Sequence, residues 1–221
     1  MRRMNIAVLG GAGAMGSGLA WRLARAGHDV IIGSREPERG ETKASEIRAR
    51  LGADAGTIRG ASYEAAAGDA DLAILTVPFA SQADILGRVK DHLAGKVLID
   101  CTVPLRPPKV GRVQLPPEGA AALIAQDILG PETPVVSAFQ NVGAQLLQND
   151  APIACDVLVC ADDKDARALG VEIASAAGLR GIEAGPLANA AAAEALTSIL
   201  IQINRRYKAD HAGIRITGLK D

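Results

Sequence analysis

The sequence lacks an excess of charge of either sign, and it lacks a long apolar run. Its 24 lysines and arginines face 25 aspartates and glutamates, a formal net charge of −1, and the basic residues are spread along the chain. This distribution argues against nucleic acid or an anionic membrane as a partner. No apolar run approaches the roughly 20 residues that span a bilayer, and no signal-peptide apolar region precedes the first strand-like segment. We therefore expect a cytoplasmic protein whose partners are small molecules or a second copy of itself.

Cysteine is scarce as well. Cys101, Cys155 and Cys160 lie in apolar, strand-like segments and do not show the spacing of metal ligands. Free cysteine behaves as a small apolar residue and is usually buried. We therefore expect three reduced, buried thiols in a reducing compartment, with no metal site and no catalytic thiol.

Short apolar runs rich in β-branched residues alternate with longer helical segments along most of the chain. The runs predict strands at 6–9, 30–32, 72–77, 97–99, 135–136 and 157–160, and a further short strand within 179–185. Helices are predicted at 15–26, 37–51, 81–93, 119–129, 164–177 and 188–208. Continuous apolar strands separated by helices are typical of a parallel sheet covered on both faces. The predicted fold is a Rossmann-type, doubly wound α/β fold with a small C-terminal α/β extension that ends in a long apolar helix.

One irregular segment, residues 102–118, interrupts this pattern. It contains five prolines, which exclude a helix. The segment follows the strand predicted at 97–99, so it leaves from the carboxyl edge, where open α/β folds bind ligands. A plain surface loop is the favoured interpretation, and a lid over the site is the alternative.

A glycine pattern follows the first predicted strand. Gly11, Gly13 and Gly16 form G-x-G-x-x-G at the start of the first predicted helix. Gly11 would allow a tight turn, Gly13 would let the backbone approach a pyrophosphate, and Gly16 would let helix and strand pack closely. The helix N-terminus adds amide donors and a favourable dipole for phosphate. The motif predicts a dinucleotide-binding loop, with a purely structural turn as the alternative.

The second predicted strand leads into Ser34 and Arg35, where a dinucleotide fold presents the residue that contacts the adenosine ribose. An acidic residue would bond the ribose 2′-hydroxyl of NAD, whereas a hydroxyl and a guanidinium suit the 2′-phosphate of NADP. Arg39 lies one helical turn beyond Arg35 and can face the same phosphate, whereas Lys43 is interpreted as a solvated charge. The sequence therefore predicts NADP (NADPH) as the cofactor.

Several segments together resemble the F420-dependent NADP reductases. They are residues 8–36, "LTVPF" at 75–79, "VVSAFQNVGA" at 135–144, "AGPLANAAAAEALTSILIQIN" at 184–204 and "HAGIRITGL" at 211–219. The resemblance covers nearly the whole chain, in order. It implies a homodimeric oxidoreductase that transfers a hydride directly between NADPH and the deazaflavin coenzyme F420. Residues 1–140 would be the NADP-binding Rossmann domain, and residues 141–221 an extension that closes the substrate cleft and dimerises.

The resemblance also implies the site residues. NADP would contact the glycine loop, the end of the second strand and the helix after it, at Gly11, Ala12, Gly13, Ala14, Met15, Ser34, Arg35 and Arg39. The nicotinamide side of the cofactor would meet Val77, Ser81, Thr102, Val103 and Gly143. The deazaflavin would meet two turns and the tail, at Phe139, Gln140, Asn141, Val142, Gly185, Pro186, Leu187 and Ala212. Because the hydride passes directly between two rings, the protein supplies proximity and a dry cleft, and no catalytic side chain is expected.

Two departures from the family pattern bear on function. Ala12 stands where archaeal members often have threonine, so selectivity for NADP rests more on Ser34, Arg35 and Arg39. The pair Phe139-Gln140 stands where members often have a histidine that faces the deazaflavin. An NADPH-dependent reductase of another acceptor, such as an imine, a flavin or a metal complex, is therefore the alternative. A non-enzymatic NADP sensor is a third interpretation.

Overall fold

A computed structural model, which describes residues 2–219, contains two parallel sheets and seven α-helices in that part of the chain. The strands are β1 (Asn5–Leu9), β2 (Asp29–Ser34), β3 (Ile58–Ser62), β4 (Leu72–Leu75), β5 (Val97–Asp100), β6 (Val135–Ser137), β7 (Asp156–Val159) and β8 (Arg180–Glu183). The helices are α1 (Ala14–Arg25), α2 (Pro37–Arg48), α3 (Tyr63–Asp69), α4 (Phe79–Leu93), α5 (Ala121–Leu129), α6 (Lys164–Ala176) and α7 (Ala190–Tyr207). Two short 3-10 helices lie at Ala144–Gln148 and Leu187–Asn189.

The larger sheet has the strand order β3-β2-β1-β4-β5-β6, and all of its strands are parallel. Ile6 and Val8 of β1 belong to one buried apolar cluster, and Ala7 and Leu9 belong to the other. Since successive residues of a strand point to opposite faces, the sheet buries both of its faces, which explains why its strands read as continuous apolar runs. The prediction of a doubly wound Rossmann-type fold is confirmed. Among the helices of residues 2–219, none has the length and apolar character to cross a bilayer.

Strand β3 and helix α3 were not predicted from the sequence. The β3 segment reads IRGAS, with an exposed Arg59 and a glycine in the middle, so it lacks the apolar run that marks the other strands. Gly60 is required because α2 crosses directly over it, and a Cβ there would clash with the backbone of Glu41. Several predicted boundaries also shift by a few residues. For example, α5 begins at Ala121, because Gly119 has a φ of +97° that ends the preceding loop.

The smaller sheet consists of β7 and β8, which α6 connects, and it lies beside β6. Ser137 at the end of β6 forms an isolated antiparallel bridge with Cys160, with N–H to O distances of 2.9 and 3.1 Å. One buried cluster contains apolar residues from the segment before residue 140 and from the segment after it. The extension therefore packs against the Rossmann sheet and shares its core.

All three cysteines are buried and unpaired, which confirms the prediction of buried, free thiols. Burial raises the pKa of the Cys160 thiol to about 11 and the pKa of Cys101 well above its usual value. These thiols are therefore protonated at neutral pH.

The proline-rich segment 102–118 contains neither helix nor strand, as predicted, and part of it lies against α7. The carbonyl oxygen of Arg112 accepts a hydrogen bond from Ser198 Oγ at 3.4 Å. A Cβ on Gly111 would lie 3.0 Å from the side chain of Gln202. The segment is therefore a loop packed onto the last helix.

Arg22 is a buried cation that connects α1 to the extension. Its guanidinium donates hydrogen bonds to the carbonyl oxygens of Leu146, Leu147, Asn149, Ala151 and Ala177. Burial lowers the pKa of this guanidinium. Because hydrogen bonds from a charged donor are stronger than neutral ones, Arg22 stabilises the position of segment 144–151 against α1.

Asp100, the last residue of β5, is a fully buried carboxylate at the carboxyl edge of the sheet. It accepts a hydrogen bond from Gln82 Nε2 at 2.6 Å and one from the backbone N–H of Thr102 at 2.9 Å. Burial raises the pKa of Asp100 to about 6, although these hydrogen bonds oppose the shift.

Glu194 of α7 is a second buried carboxylate near this edge. It accepts hydrogen bonds from the backbone N–H groups of Ala121 at 2.7 Å and Ala122 at 3.1 Å. These are the first two residues of α5, so Glu194 caps that helix from another element. Burial raises the pKa of Glu194 to about 7.

The buried carboxyl of Glu194 gives a testable pH dependence. A folded-state pKa of about 7, against an ordinary value of 4.5, means that the folded state binds more protons than the unfolded state between those values. The free energy of unfolding should therefore fall as the pH rises through this window. In Glu194→Gln it should fall less, because the amide does not titrate. Urea unfolding between about pH 5 and pH 8 measures the difference.

The exposed Glu172→Gln on α6 is the matched control and should keep the wild-type pH dependence. The buried carboxyl of Asp100 also lowers the free energy of unfolding as the pH rises, and it does so in the wild type and in both variants. A Glu194→Gln profile parallel to that of the wild type would contradict the assignment.

Candidate functional site

A pocket of about 360 Å³ opens at the carboxyl edge of the larger sheet. It lies where the strand order reverses between β1 and β4, the position at which doubly wound sheets bind ligands. Its lining includes predicted site residues, namely Ala12, Gly13, Ser34, Arg35, Arg39, Val77 and Ser81. It also includes residues that the sequence analysis did not assign, namely Gly10, Glu36, Tyr63, Thr76, Pro78 and Ile85.

The tight turn after β1 lies at Gly10 and not at Gly11, where we predicted it. Gly10 has a φ of +86°, in the left-handed region that favours glycine. Gly11 is a packing position, because a Cβ there would lie 2.9 Å from the carbonyl oxygen of Val8 and 3.0 Å from Ile32 Cγ2. The sequence shows two consecutive glycines, Gly10 and Gly11, but the G-x-G-x-x-G pattern begins only at the second one. The pattern therefore did not reveal the turn at Gly10.

Gly16 and Gly13 have different surroundings. A Cβ on Gly16 would lie 2.6 Å from Gly11 Cα and 2.5 Å from Thr76 Oγ1, which agrees with the predicted close packing of helix and strand. At Gly13 the nearest atom to such a Cβ would be 3.4 Å away. Gly13 lines the pocket and α1 begins directly after it, so the positive end of the helix dipole lies at the pocket wall.

The end of β2 supplies the charged wall of the pocket. Ser34 is buried at the last position of the strand, whereas Arg35 and Arg39 are exposed. Within residues 2–219, neither guanidinium group forms a hydrogen bond or an ion pair. Two guanidinium groups against the single carboxylate of Glu36 give this wall a net positive charge. Such a wall can hold a phosphate dianion through charge-assisted hydrogen bonds.

Two residues that we predicted to line the nicotinamide lie at this positively charged pocket. Val77 and Ser81 share its wall with Arg35, whereas Thr102 and Val103 lie outside its lining, in the loop after β5. β4 ends at Leu75, and the chain then turns into α4, so that Val77 and Ser81 come to the pocket. Ala14 and Met15 lie in the first turn of α1, next to the lining residue Gly13.

The segment 139–142, predicted to contact the deazaflavin, is buried. Gln140 Nε2 donates to the carbonyl oxygen of Asp100 at 2.8 Å and to Ser137 Oγ at 2.9 Å. Within the described residues, Gln140 Oε1 is buried without a partner. Phe139 is also buried, with a φ of +73°, and the Val142 side chain packs in the core. The amide donor of Gln140 is therefore engaged within the folded chain.

Asn141 attaches this turn to α7. Its Nδ2 donates to the carbonyl oxygen of Ala193 at 2.8 Å and to Thr197 Oγ1 at 3.3 Å. In return, Thr197 Oγ1 donates to the carbonyl oxygen of Gln140 at 2.9 Å. The turn and the last helix therefore form one unit.

The C-terminal tail covers the same turn. A Cβ on Gly143 would lie 2.7 Å from His211 Cβ, so these residues are in close contact. The next residue of the tail, Ala212, donates its N–H to Asn204 Oδ1 at 2.8 Å. Gly143, which we grouped with the cofactor contacts, lies outside the pocket that Arg35 lines.

The turn at Gly185 lies beside β6 and α5, through the 3-10 helix Leu187–Asn189 that follows it. Gly185 has a φ of +93°, so the backbone there requires a glycine. Pro186 is exposed, whereas Leu187 is fully buried in the core and donates its N–H to Asp162 Oδ1 at 3.0 Å. Of these three residues, Pro186 presents its side chain to solvent.

The unassigned residues of the pocket differ in how far the sequence could have revealed them. Thr76 and Pro78 lie inside the "LTVPF" segment, next to the predicted Val77. Tyr63 had no signal, because it follows the strand that the apolar pattern did not reveal.

Residues 5–104 match a family model described as NADP oxidoreductase, coenzyme F420-dependent. The chain is 42% identical to the F420-dependent NADP reductase of Methanothermobacter marburgensis, over 99% of this chain and 100% of that protein. It is 40% identical to the F420-dependent NADP reductase of Methanocaldococcus jannaschii, over 98% of this chain and 100% of that protein.

Solved structures show the same similarity. The crystal structure of a proposed F420-dependent NADP reductase from Arthrobacter sp. FB24 superposes with a TM-score of 0.79 at 25% identity, covering 97% of this chain and 99% of that one. A pyrroline-5-carboxylate reductase from Coxiella burnetii, at 18% identity and a TM-score of 0.58, covers 83% of this chain and 60% of that one, and shares the fold alone. The relatives that match from end to end confirm the resemblance predicted from the sequence, and the chain belongs to the F420-dependent NADP reductase family.

Proposed function

We propose that this protein transfers a hydride between NADPH and the deazaflavin coenzyme F420. The observation that carries the proposal is the match, at 42% identity over 99% of the chain, to a reductase named for both F420 and NADP. A match of that extent includes the glycine loop and the arginine-bearing wall as well as α7 and the tail. It therefore supports both halves of the proposed reaction.

The residues of the pocket fit a dinucleotide phosphate. The backbone at Gly13, which lines the pocket, and the start of α1 suit the pyrophosphate. The guanidinium groups of Arg35 and Arg39, which have no partner within residues 2–219, suit a 2′-phosphate. Ala12, Ala14 and Met15 would border the pyrophosphate. We assign Val77 and Ser81 to the adenosine part of the cofactor, because they share the pocket with Arg35. Thr102 and Val103 stay assigned to the nicotinamide.

When bound, NADPH supplies the hydride. The residues of this chain have the tasks of binding, orienting and excluding water, because a direct transfer needs two rings within about 3 to 3.5 Å and no protein nucleophile. The neutral thiols and the buried carboxyls described above are therefore not required to take part.

We propose that residues 141–221 close the acceptor side of the cleft over the Rossmann domain of residues 1–140. The support is the contact of α7 and His211 with the turn at 139–143. The deazaflavin would lie against backbone and side-chain surfaces of Asn141, Gly143, Gly185, Pro186 and Ala212. The layer behind these surfaces would consist of buried residues, namely Phe139, Gln140, Val142 and Leu187.

We further propose that the protein is a cytoplasmic homodimer. One side of α7 is buried through Glu194 and Ser198, whereas Ile199 is 48% exposed and Leu196 and Ile203 are partly exposed. Apolar residues at this spacing form a stripe along the helix that a second copy would cover. The buried thiols support a reducing compartment.

The cofactor assignment predicts a strong preference for NADPH over NADH. Removing the Arg35 guanidinium deletes a charge-assisted phosphate contact, a loss of roughly 1.5 to 3 kcal/mol or about ten- to hundred-fold in Kd. Titration of Arg35→Ala should show this loss for NADPH and little change for NADH. Lys43→Ala, on the same helix as Arg39 and ion-paired with Glu46, is the control and should bind like the wild type. Equal affinity of the wild type for both cofactors would refute the NADP assignment.

The acceptor assignment predicts that wild-type protein reduces F420 with NADPH and that Gly143→Val reduces it roughly ten- to hundred-fold more slowly. A valine at 143 must displace His211, so it disturbs the proposed acceptor side and leaves the NADPH pocket intact. NADPH affinity should stay near that of the wild type. Steady-state assays, an NADPH titration and a melting curve measure these effects.

Gly52→Val is the matched control for this substitution, because no atom lies within 4 Å of its Cβ position. Full activity of Gly143→Val would contradict the proposed acceptor side. A wild type that reduces an imine, a flavin or a metal complex but not F420 would favour the alternative reductase.

The dimer prediction concerns Ile199. A carboxylate in the middle of the α7 stripe should prevent association, because burying an unpaired charge is costly. Sedimentation equilibrium at micromolar concentration should give a dimer for the wild type and a 22.7 kDa species for Ile199→Asp. A 22.7 kDa species for both proteins would rule out the dimer.

A further inference from the structure

The side chain of Tyr63 forms part of the pocket wall, and the proposed function gives this residue no role. It is the first residue of α3 and is 5% exposed. It lines the same pocket as Ser34, Arg35 and Arg39. Its hydroxyl makes no hydrogen bond to any residue in the described range 2–219. The hydroxyl oxygen keeps accessible surface although the ring is buried, and the residue lines the pocket. A hydroxyl that is accessible from the pocket and has no partner within residues 2–219 is available to a ligand.

Strand pairing explains how Tyr63 reaches the wall. In the parallel pair of β2 and β3, Ser34 lies opposite Ser62, and neighbouring strands are about 4.8 Å apart. Tyr63 therefore follows β3 at the same edge where Arg35 follows β2. The ring has room because β2 has a glycine at this point: a Cβ on Gly33 would lie 3.2 Å from Tyr63 Cδ1.

The charges around the ring are mostly positive. The Arg88 guanidinium lies 5.6 Å from the centre of the Tyr63 ring, and Arg35 and Arg39 act on the hydroxyl from the pocket wall. Burial raises the pKa of Tyr63, and these three arginines oppose the shift without reversing it. The hydroxyl therefore keeps its proton at neutral pH and is a hydrogen-bond donor in a positive environment. A phosphate dianion, which carries only acceptors, matches such a donor better than an adenine base does.

We propose that Tyr63 Oη donates a hydrogen bond to the 2′-phosphate of NADPH, so that Tyr63 determines cofactor specificity together with Arg35 and Arg39. The inference rests on the proposed function for the identity of the cofactor. Its new element is a donor that follows β3, next to the strand end at which Arg35 follows β2. The phosphate would then be held from two neighbouring strand ends instead of one.

Tyr63→Phe tests the proposal, because it removes only the hydroxyl and keeps the ring against Gly33 and Arg88. The Kd for NADPH should rise about ten-fold, and the Kd for NADH should stay unchanged. The same contrast should appear between 2′,5′-ADP and 5′-AMP, which carry the adenosine half with and without the 2′-phosphate. The ratio of the two affinities is the deciding measurement, since a partly unfolded variant lowers both equally and leaves the ratio as in the wild type.

Tyr207→Phe is the matched control, as Tyr207 is the only other tyrosine of the chain and is 75% exposed at the end of α7. Its affinity ratio should equal that of the wild type. An unchanged ratio in Tyr63→Phe, whether both affinities stay or both fall, would overturn the role of Tyr63 and leave the NADP assignment standing. A wild type without preference for NADPH or for 2′,5′-ADP would overturn the cofactor assignment itself, and the role of Tyr63 with it.

Discussion

The close approach of α1 to the end of β1 is the constraint on which the site depends. Gly11 and Gly16 meet with no room for a Cβ on either, and Thr76 reaches into the same space from the end of β4. Protein interiors are close-packed and transmit strain, so a larger side chain there would push the start of the helix away from the sheet. The position of Gly13, and with it the pocket wall at the start of α1, follows from this contact.

Buried polar groups orient the C-terminal extension on the Rossmann sheet. Arg22 binds the carbonyl oxygens of segment 144–151 and of the end of α6, Asn141 binds α7, and Glu194 caps α5. Apolar contacts alone tolerate sliding, whereas hydrogen bonds in a low-dielectric interior are directional and costly to break. They therefore fix how α7 and the tail lie over the turn at 139–143. In the proposed function, this orientation sets the width of the acceptor cleft.

The two ends of the proposed cleft differ in charge. At the β2 end, Arg35 and Arg39 are unpaired within residues 2–219 and suit a phosphate. At the β6 end, the polar side chains of Gln140 and Asn141 bind within the chain and leave mainly backbone to border a flat ring. In the proposed function, side chains would therefore determine specificity for the cofactor, and the shape of the backbone would determine the acceptor side.

The sequence by itself determined the parallel sheet, the glycine loop and the pair Ser34-Arg35, because each is a local pattern: continuous apolar runs, glycines at a required spacing, and the residue type that ends a strand. Only the tertiary structure decided which distant residues meet these patterns. It placed Val77 and Ser81 beside Arg35, moved the left-handed turn to Gly10, and brought Tyr63 to the pocket through a strand with no apolar run. It also buried Asp100 and Glu194, whose residue types alone suggest surface charges. These outcomes depend on strand pairing and helix crossing, which join residues far apart in the chain and leave no local periodicity in the sequence.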